Sequence, residues 1–168
     1  MMEKYRRRVF RYLLGSLGSQ EDALDLTQDV FLRICSKAHT YNGEAPLNAW
    51  VFRVVRNLRT DQSRKKNFKV VSNAVSLDHV SPDASSSTRT PEQDAGSSEI
   101  FRRVQEAIAA LPPRQQEVVR LRLLAELSLE ETAGVSGLSL GGVKSTLHNA
   151  LANLRKELRD LEQSYVHL

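Results

Sequence analysis

The sequence is poor in the residues that build secreted, membrane-spanning or metal-held proteins. Among 168 residues there is one cysteine, so Cys35 cannot close an internal disulfide, and with four scattered histidines it makes a poor metal set. No stretch approaches the ~18–20 uninterrupted apolar residues that cross a bilayer. The N-terminal MMEKYRRRVFRYLL is basic, but its apolar run is short and no small-residue cleavage site follows it. There is no internal repeat and no strand-like alternation of useful length. Gly141-Gly142 lack the pattern of a phosphate-cradling loop, and His39, His79, His148 and His167 show neither metal spacing nor a Ser/His/Asp arrangement. These absences lead to the expectation of a cytoplasmic, non-catalytic protein without membrane insertion, cofactor or metal.

What is present is charge, unevenly placed. Residues 1–70 carry 14 Lys+Arg against 7 Asp+Glu, residues 71–98 carry 1 against 4, and residues 99–168 carry 9 against 9. The basic first block points to a polyanionic partner, although a solvated basic face without a partner fits charge alone equally well. The middle block, VSNAVSLDHVSPDASSSTRTPEQDAGSS, holds eight Ser, two Pro and no aromatic residue. Such a segment buries too little apolar area to offset its ordering entropy, so 71–98 reads as a flexible linker. As coil it would span about 30 Å between two independently positioned domains.

Helical spacing recurs on both sides. In 21–37, Ala23, Leu26, Val30 and Ile34 make an apolar stripe, with Leu24 and Phe31 adjoining. Cys35 falls beyond it, as a half-buried small residue. AHTYNGEAP breaks the pattern as a loop. A helix resuming at Leu47 carries Val51, Val54, Val55 and Leu58 on one stripe, and Trp50, Arg53, Asn57, Thr60, Asp61 and Arg64 on the other side. Arginine neutralises phosphates, asparagine pairs with base edges, and tryptophan stacks on unpaired bases, so this second face suits nucleic acid; a core tryptophan at the margin of the stripe with a solvated basic flank is the alternative.

In the last block, Ile100, Val104, Ile108 and Leu111 predict an amphipathic helix ended by Pro112-Pro113. A helix from Arg114 carries Val118, Leu121 and Ala125. Ser128-Leu-Glu-Glu131 is a capping box, Gly137 suits a left-handed stop, and after the turn 138–140 a long helix packs Val143, Leu147, Ala150, Leu151, Leu154, Leu158 and Leu161 inward. This is a helix-turn-helix pattern, whose second helix enters the major groove. Gly141, Gly142, Ser145, His148 and Asn149 face outward, with Lys144 at the flank. A plain helical hairpin is the alternative.

Two stretches together resemble the sigma-70 family of bacterial transcription initiation factors, in its small extracytoplasmic-function group. DLTQDVFLRI (25–34) is similar to the region 2 helix that docks on RNA polymerase, and YNGEAPLNAWVFRVVRNLRTDQSRKK (41–66) to the segment that melts the promoter and reads the −10 element. The stretch 110–158 is similar to region 4, which reads the −35 element. Many regulators carry comparable helix-turn-helix domains, but pairing with the W-x-x-R-x-x-R-N-x-x-x-D-x-x-R block makes the resemblance specific. It implies an all-α chain: region 2 over 1–70, the linker, and region 4 over 99–168.

Carried over by position, the resemblance implies that Leu26, Gln28, Asp29, Phe31 and Arg33 contact the β′ clamp helices of core polymerase, with the β flap as a second polymerase contact. Tyr41, Asn42, Gly43 and Glu44, in the loop 41–47, would hold a flipped base. Trp50, Arg53, Arg56, Asn57 and Arg64 would grip or read the −10 strand, while Gly142, Lys144, Ser145, Thr146, His148 and Asn149 face the −35 groove. Thr146 and Asn149 stand where the family usually has basic residues, which weakens phosphate anchoring, and Gly134 and Ser136 replace bulkier helix formers. Region 2 begins almost at once, so control is expected from a separate anti-sigma protein, which can hold the chain at the membrane, rather than from an N-terminal inhibitory domain. The competing reading is an autonomous helix-turn-helix regulator that binds duplex DNA without melting it.

Overall fold

The computed structural model describes residues 2–73 and 95–166, and the side chains of 3–64 and 99–159. All regular structure among them is helical. The first lobe comprises α1 (Met2–Leu17), α2 (Gln20–Lys37), a 3₁₀ turn (Ala38–Thr40) and α3 (Leu47–Asn73); the second comprises α4 (Ala95–Ala109), α5 (Pro113–Val119), α6 (Leu129–Ser136) and α7 (Leu140–Val166). The margins of the expected linker are thus helical, and 74–94 lie outside the described residues.

Local chemistry explains where the helices begin and end. Gly18 takes φ 72° after α1, and the Ser19 hydroxyl accepts from the Asp22 N–H to cap α2. Pro113 starts α5 in the position where a missing N–H costs nothing. After Val119 the helix widens into a π turn (Arg120–Leu124), closed by the Ala125 N–H on the Arg120 carbonyl at 3.0 Å, and Glu126 follows at φ 55°. Both halves of the capping box form: the Ser128 hydroxyl accepts from the Glu131 N–H at 3.0 Å, and the Glu131 carboxylate accepts from the Ser128 N–H at 2.8 Å. Gly137 at φ 75° closes α6. Ser128→Ala is expected to cost about 1 kcal/mol of stability, measured by urea denaturation.

The tertiary arrangement corrects the expectation of independent lobes. Val9, Tyr12, Leu13, Ala23, Val30, Phe52 and Val55 of the first lobe share one apolar core with Leu121, Leu124, Ala125, Leu127 and Val135 of the second. Gly15 permits the approach, since a Cβ there would lie 2.4 Å from Leu124 Cδ1. A smaller core, including Ile108, Leu111, Val119, Ala150 and Leu154, holds α4, α5 and α7 together.

Individual expectations also change. Ile100 is exposed, because at 100° per residue it sits about 80° round α4 from the buried Ile108. Cys35 is exposed rather than half-buried, one residue round α2 from Ile34, which packs on the core. Phe52, between the two stripes read on α3, is fully buried edge-on against Tyr12, with ring centroids 5.8 Å apart.

Candidate nucleic-acid and polymerase interface

α3 carries the mixed aromatic and basic face. Trp50 is half-buried: its ring lies 5.5 Å from that of Tyr41, whose hydroxyl donates to the Ala45 carbonyl at 2.9 Å. The loop 41–47 is therefore folded over the tryptophan. Gly43 takes φ 78°, and the Asn42 side chain accepts from the Glu44 N–H at 3.2 Å. Asn42, Gly43 and Glu44 are exposed at the tip, and Asn57 and Arg64 are exposed further along α3.

The two central arginines of this face are engaged by the second lobe. Arg53 Nε donates to the Gly134 carbonyl at 2.8 Å, and Arg56 Nη1 donates to the Val135 carbonyl at 3.0 Å. Glu117, half-buried on α5, pairs with Arg59 at 2.9 Å and Arg56 at 3.4 Å, and accepts from the Tyr12 hydroxyl at 3.0 Å. Burial, and then the Glu117 charge, push the Tyr12 phenol above its ordinary value. Arg120 in the same seam is pushed below the usual arginine value by burial and by Arg59. Tyr12, Arg59 and Glu117 were not among the expected site residues. A buried tyrosine and a lone glutamate 105 positions apart leave no local sequence signal.

α6, its turn and α7 form the helix-turn-helix. Val143 and Ala150 are fully buried, and Lys144, Ser145, His148 and Asn149 are exposed together on the opposite face. Gly142 and Thr146 are half-buried at its edge. Ser139 caps this helix by accepting the Gly142 N–H at 3.0 Å, so that donor is already occupied. Among the expected docking residues on α2, Gln28, Asp29 and Arg33 are exposed and Phe31 is half-buried, but Leu26 is only 4% exposed. Leu26 lies on the core stripe with Ala23 and Val30, beneath the exposed residues of α2. Beside these residues a groove of about 660 Å³ runs between α1 and α2, with Phe10, Leu24 and Phe31 lining it and Arg6, Arg7 and Gln28 also bordering it. The α1 side of this groove was not legible in the sequence, because its arginines outnumber its apolar residues there.

A helix-turn-helix packed on a helical bundle that bears an aromatic and basic face defines a two-lobed protein of the DNA-binding class. The description Sigma-70 region 2 matches residues 1–69, and Sigma-70, region 4 matches residues 101–154. The RNA polymerase sigma-E factor of Streptomyces coelicolor is 36% identical over 143 residues, covering 84% of this chain and 75% of that protein. The ECF RNA polymerase sigma factor BldN of the same organism is 32% identical over 163 residues, covering 95% of this chain but 60% of its own length. In fold, the chain is similar to the sigma factor RpoE solved with the anti-sigma factor NepR from Bartonella quintana, with a TM-score of 0.72, 21% identity and 94% of each chain covered. The chain belongs to the sigma-70 family, in its extracytoplasmic-function group.

Proposed function

We propose that this chain is a promoter-specificity subunit of bacterial RNA polymerase. α7 presents Lys144, Ser145, His148 and Asn149 to the major groove of the −35 element, while α3 and the loop 41–47 capture bases exposed as the −10 duplex opens. The observation that carries this reading is the tilted Tyr41–Trp50 ring pair beside Arg53, Arg56 and Asn57 on α3. Trp50 packs on the core with one side, and an aromatic ring at such a surface suits stacking on an unpaired base. Captured bases are withdrawn from the duplex equilibrium, so binding energy alone favours the open form and the chain needs no catalytic residue.

Gln28, Asp29, Phe31 and Arg33 dock on the β′ clamp helices of core polymerase along the groove between α1 and α2, and region 4 meets the β flap. The solved relative bound to an anti-sigma factor supports control by a partner of that kind. Run-off transcription with purified core polymerase on genomic fragments tests the assignment. Chain-dependent transcripts from discrete start sites support it, whereas duplex binding without any gained start site moves the assignment to an autonomous regulator. Lys144→Ala is expected to weaken duplex binding across sequences and to reduce the salt slope by about 1, measured by fluorescence anisotropy at several salt concentrations.

A further inference from the structure

We infer that a cavity between α1, α3, α5 and the π turn is a binding site for a phosphate dianion, free or carried by a small monoester. The site goes beyond the promoter assignment and uses no residue expected on either DNA face or on the polymerase-docking surface. The cavity measures about 330 Å³, and Ser16, Arg59, Ser63, Gln116, Glu117 and Arg120 are among its lining residues. That volume lies at the lower end of small-molecule sites, which run from about 300 to 1,000 Å³.

Charge is the first argument. Arg56, Arg59 and Arg120 gather in this seam around one carboxylate, that of Glu117. Glu117 is committed to Arg59 at 2.9 Å, to Arg56 at 3.4 Å and to the Tyr12 hydroxyl at 3.0 Å. Arg120 has no ion pair among the described residues, and its Nε is buried with no hydrogen-bond partner. Burial and the neighbouring Arg59 push this guanidinium below the usual arginine value, as happens to a cation short of countercharge. Leaving such a group unpaired costs stability, and an apolar side chain at 120 would fill the place without that cost. Three guanidiniums against one carboxylate leave two positive charges over, which one phosphate dianion balances.

The donors left over define the ligand. Ser16, Thr60 and Ser63 donate their hydroxyls to the Tyr12, Arg56 and Arg59 carbonyls, and Gln116 Nε2 donates to those of Ala109 and Leu111. Those hydrogens are spent on the chain's own backbone. What remains is the Arg120 guanidinium, with the Arg59 nitrogens other than Nη1, which serves Glu117 and Ser16. Guanidiniums offer planar pairs of N–H groups, the geometry that matches phosphate oxygens. Arg120 also opens the π turn, a kind of widening that recurs at functional sites. Because Arg59 stands on the first lobe and Arg120 on the second, an anion held by both bridges them. Its binding therefore adds to the stability of the folded chain in proportion to occupancy.

Isothermal titration calorimetry of the full chain tests the site, with inorganic phosphate in one arm and glycerol 1-phosphate in the other. Ionic strength is matched throughout with sodium chloride, so that screening is constant. One ligand per chain is expected, with Kd of about 0.1–1 mM. Tighter binding of the monoester assigns the site to phosphorylated metabolites, whereas equal or weaker binding assigns it to inorganic phosphate. Arg120→Gln should weaken binding in both arms by about tenfold or more, since it removes a charged donor. Ser63→Asp sets a carboxylate on an exposed residue of the lining, where the fold tolerates it, and should weaken binding by about tenfold. Circular dichroism verifies that each variant is folded.

No saturable binding in either arm overturns the proposal. So does a folded Ser63→Asp chain with wild-type affinity, whatever becomes of Arg120→Gln. If neither phosphate binds while Arg120→Gln weakens binding of a fluorescent DNA single strand, the cavity belongs to the DNA path and the proposal falls. Run-off transcription by the wild-type chain is read separately, so failure of this site leaves the promoter assignment standing, and failure of that assignment leaves this site standing.

Discussion

Phe52→Ala is expected to destabilise the whole chain by about 3–5 kcal/mol, the cost of emptying a buried phenylalanine site. Phe52 has no exposed surface, meets Tyr12 edge-on and lies under the Arg8 guanidinium at 5.6 Å. Its loss removes apolar contact from the core of the first lobe and an aromatic face from beneath a buried charge. Because that core also contains Leu121, Leu124 and Leu127, the second lobe is expected to lose support in the same transition. Urea denaturation followed by circular dichroism reads the effect as a lower midpoint. Truncation of Leu32, 70% exposed on α2, is the control and should change stability by no more than about 0.5 kcal/mol. A Phe52→Ala midpoint equal to that of the control would remove the shared core from the account.

Trp50→Ala is expected to reduce promoter opening about five- to 150-fold, the range set by ~1–3 kcal/mol of stacking per base. Duplex binding at the −35 element should remain nearly intact, since the exposed residues of α7 lie on the other lobe. Permanganate reactivity of unpaired thymines reports opening, and gel shift of a −35 duplex reports binding. Trp50→Tyr keeps a ring beside Tyr41 and should retain most of the opening. Equal loss of opening and duplex binding would count against a dedicated strand-capturing role for α3.

The capping box, the stop at Gly137 and the turn at Asn42-Gly43 were all legible, because each depends on side chains within a few positions of the backbone they act on, whereas the helix read from Arg114 begins one residue earlier, at Pro113. The inward positions of α2, and of α7 as far as Leu158, were legible for the same reason, as a 3.6-residue period repeats along one element, while the Leu161 side chain lies outside the described residues. Leu26 shows the boundary of that kind of reading. Its period placed it in the core, while its place in a family motif suggested a partner contact, and burial supports the former. The basic N-terminal segment was harder, because the pattern cannot show that Arg8 turns inward while Arg6 and Arg7 border the groove.

By itself the sequence determined an all-helical chain of two family regions, the local geometry of the helix-turn-helix, and which residue types lie outward on α3 and α7. Only the tertiary structure decided that the two lobes share a core and that Arg53 and Arg56 meet Gly134 and Val135, partners 81 and 79 positions away. Helix signals are local and carry their own register. A guanidinium pairs with whichever carbonyl or carboxylate the packing of distant surfaces brings within about 3 Å, and that choice is written in no single segment.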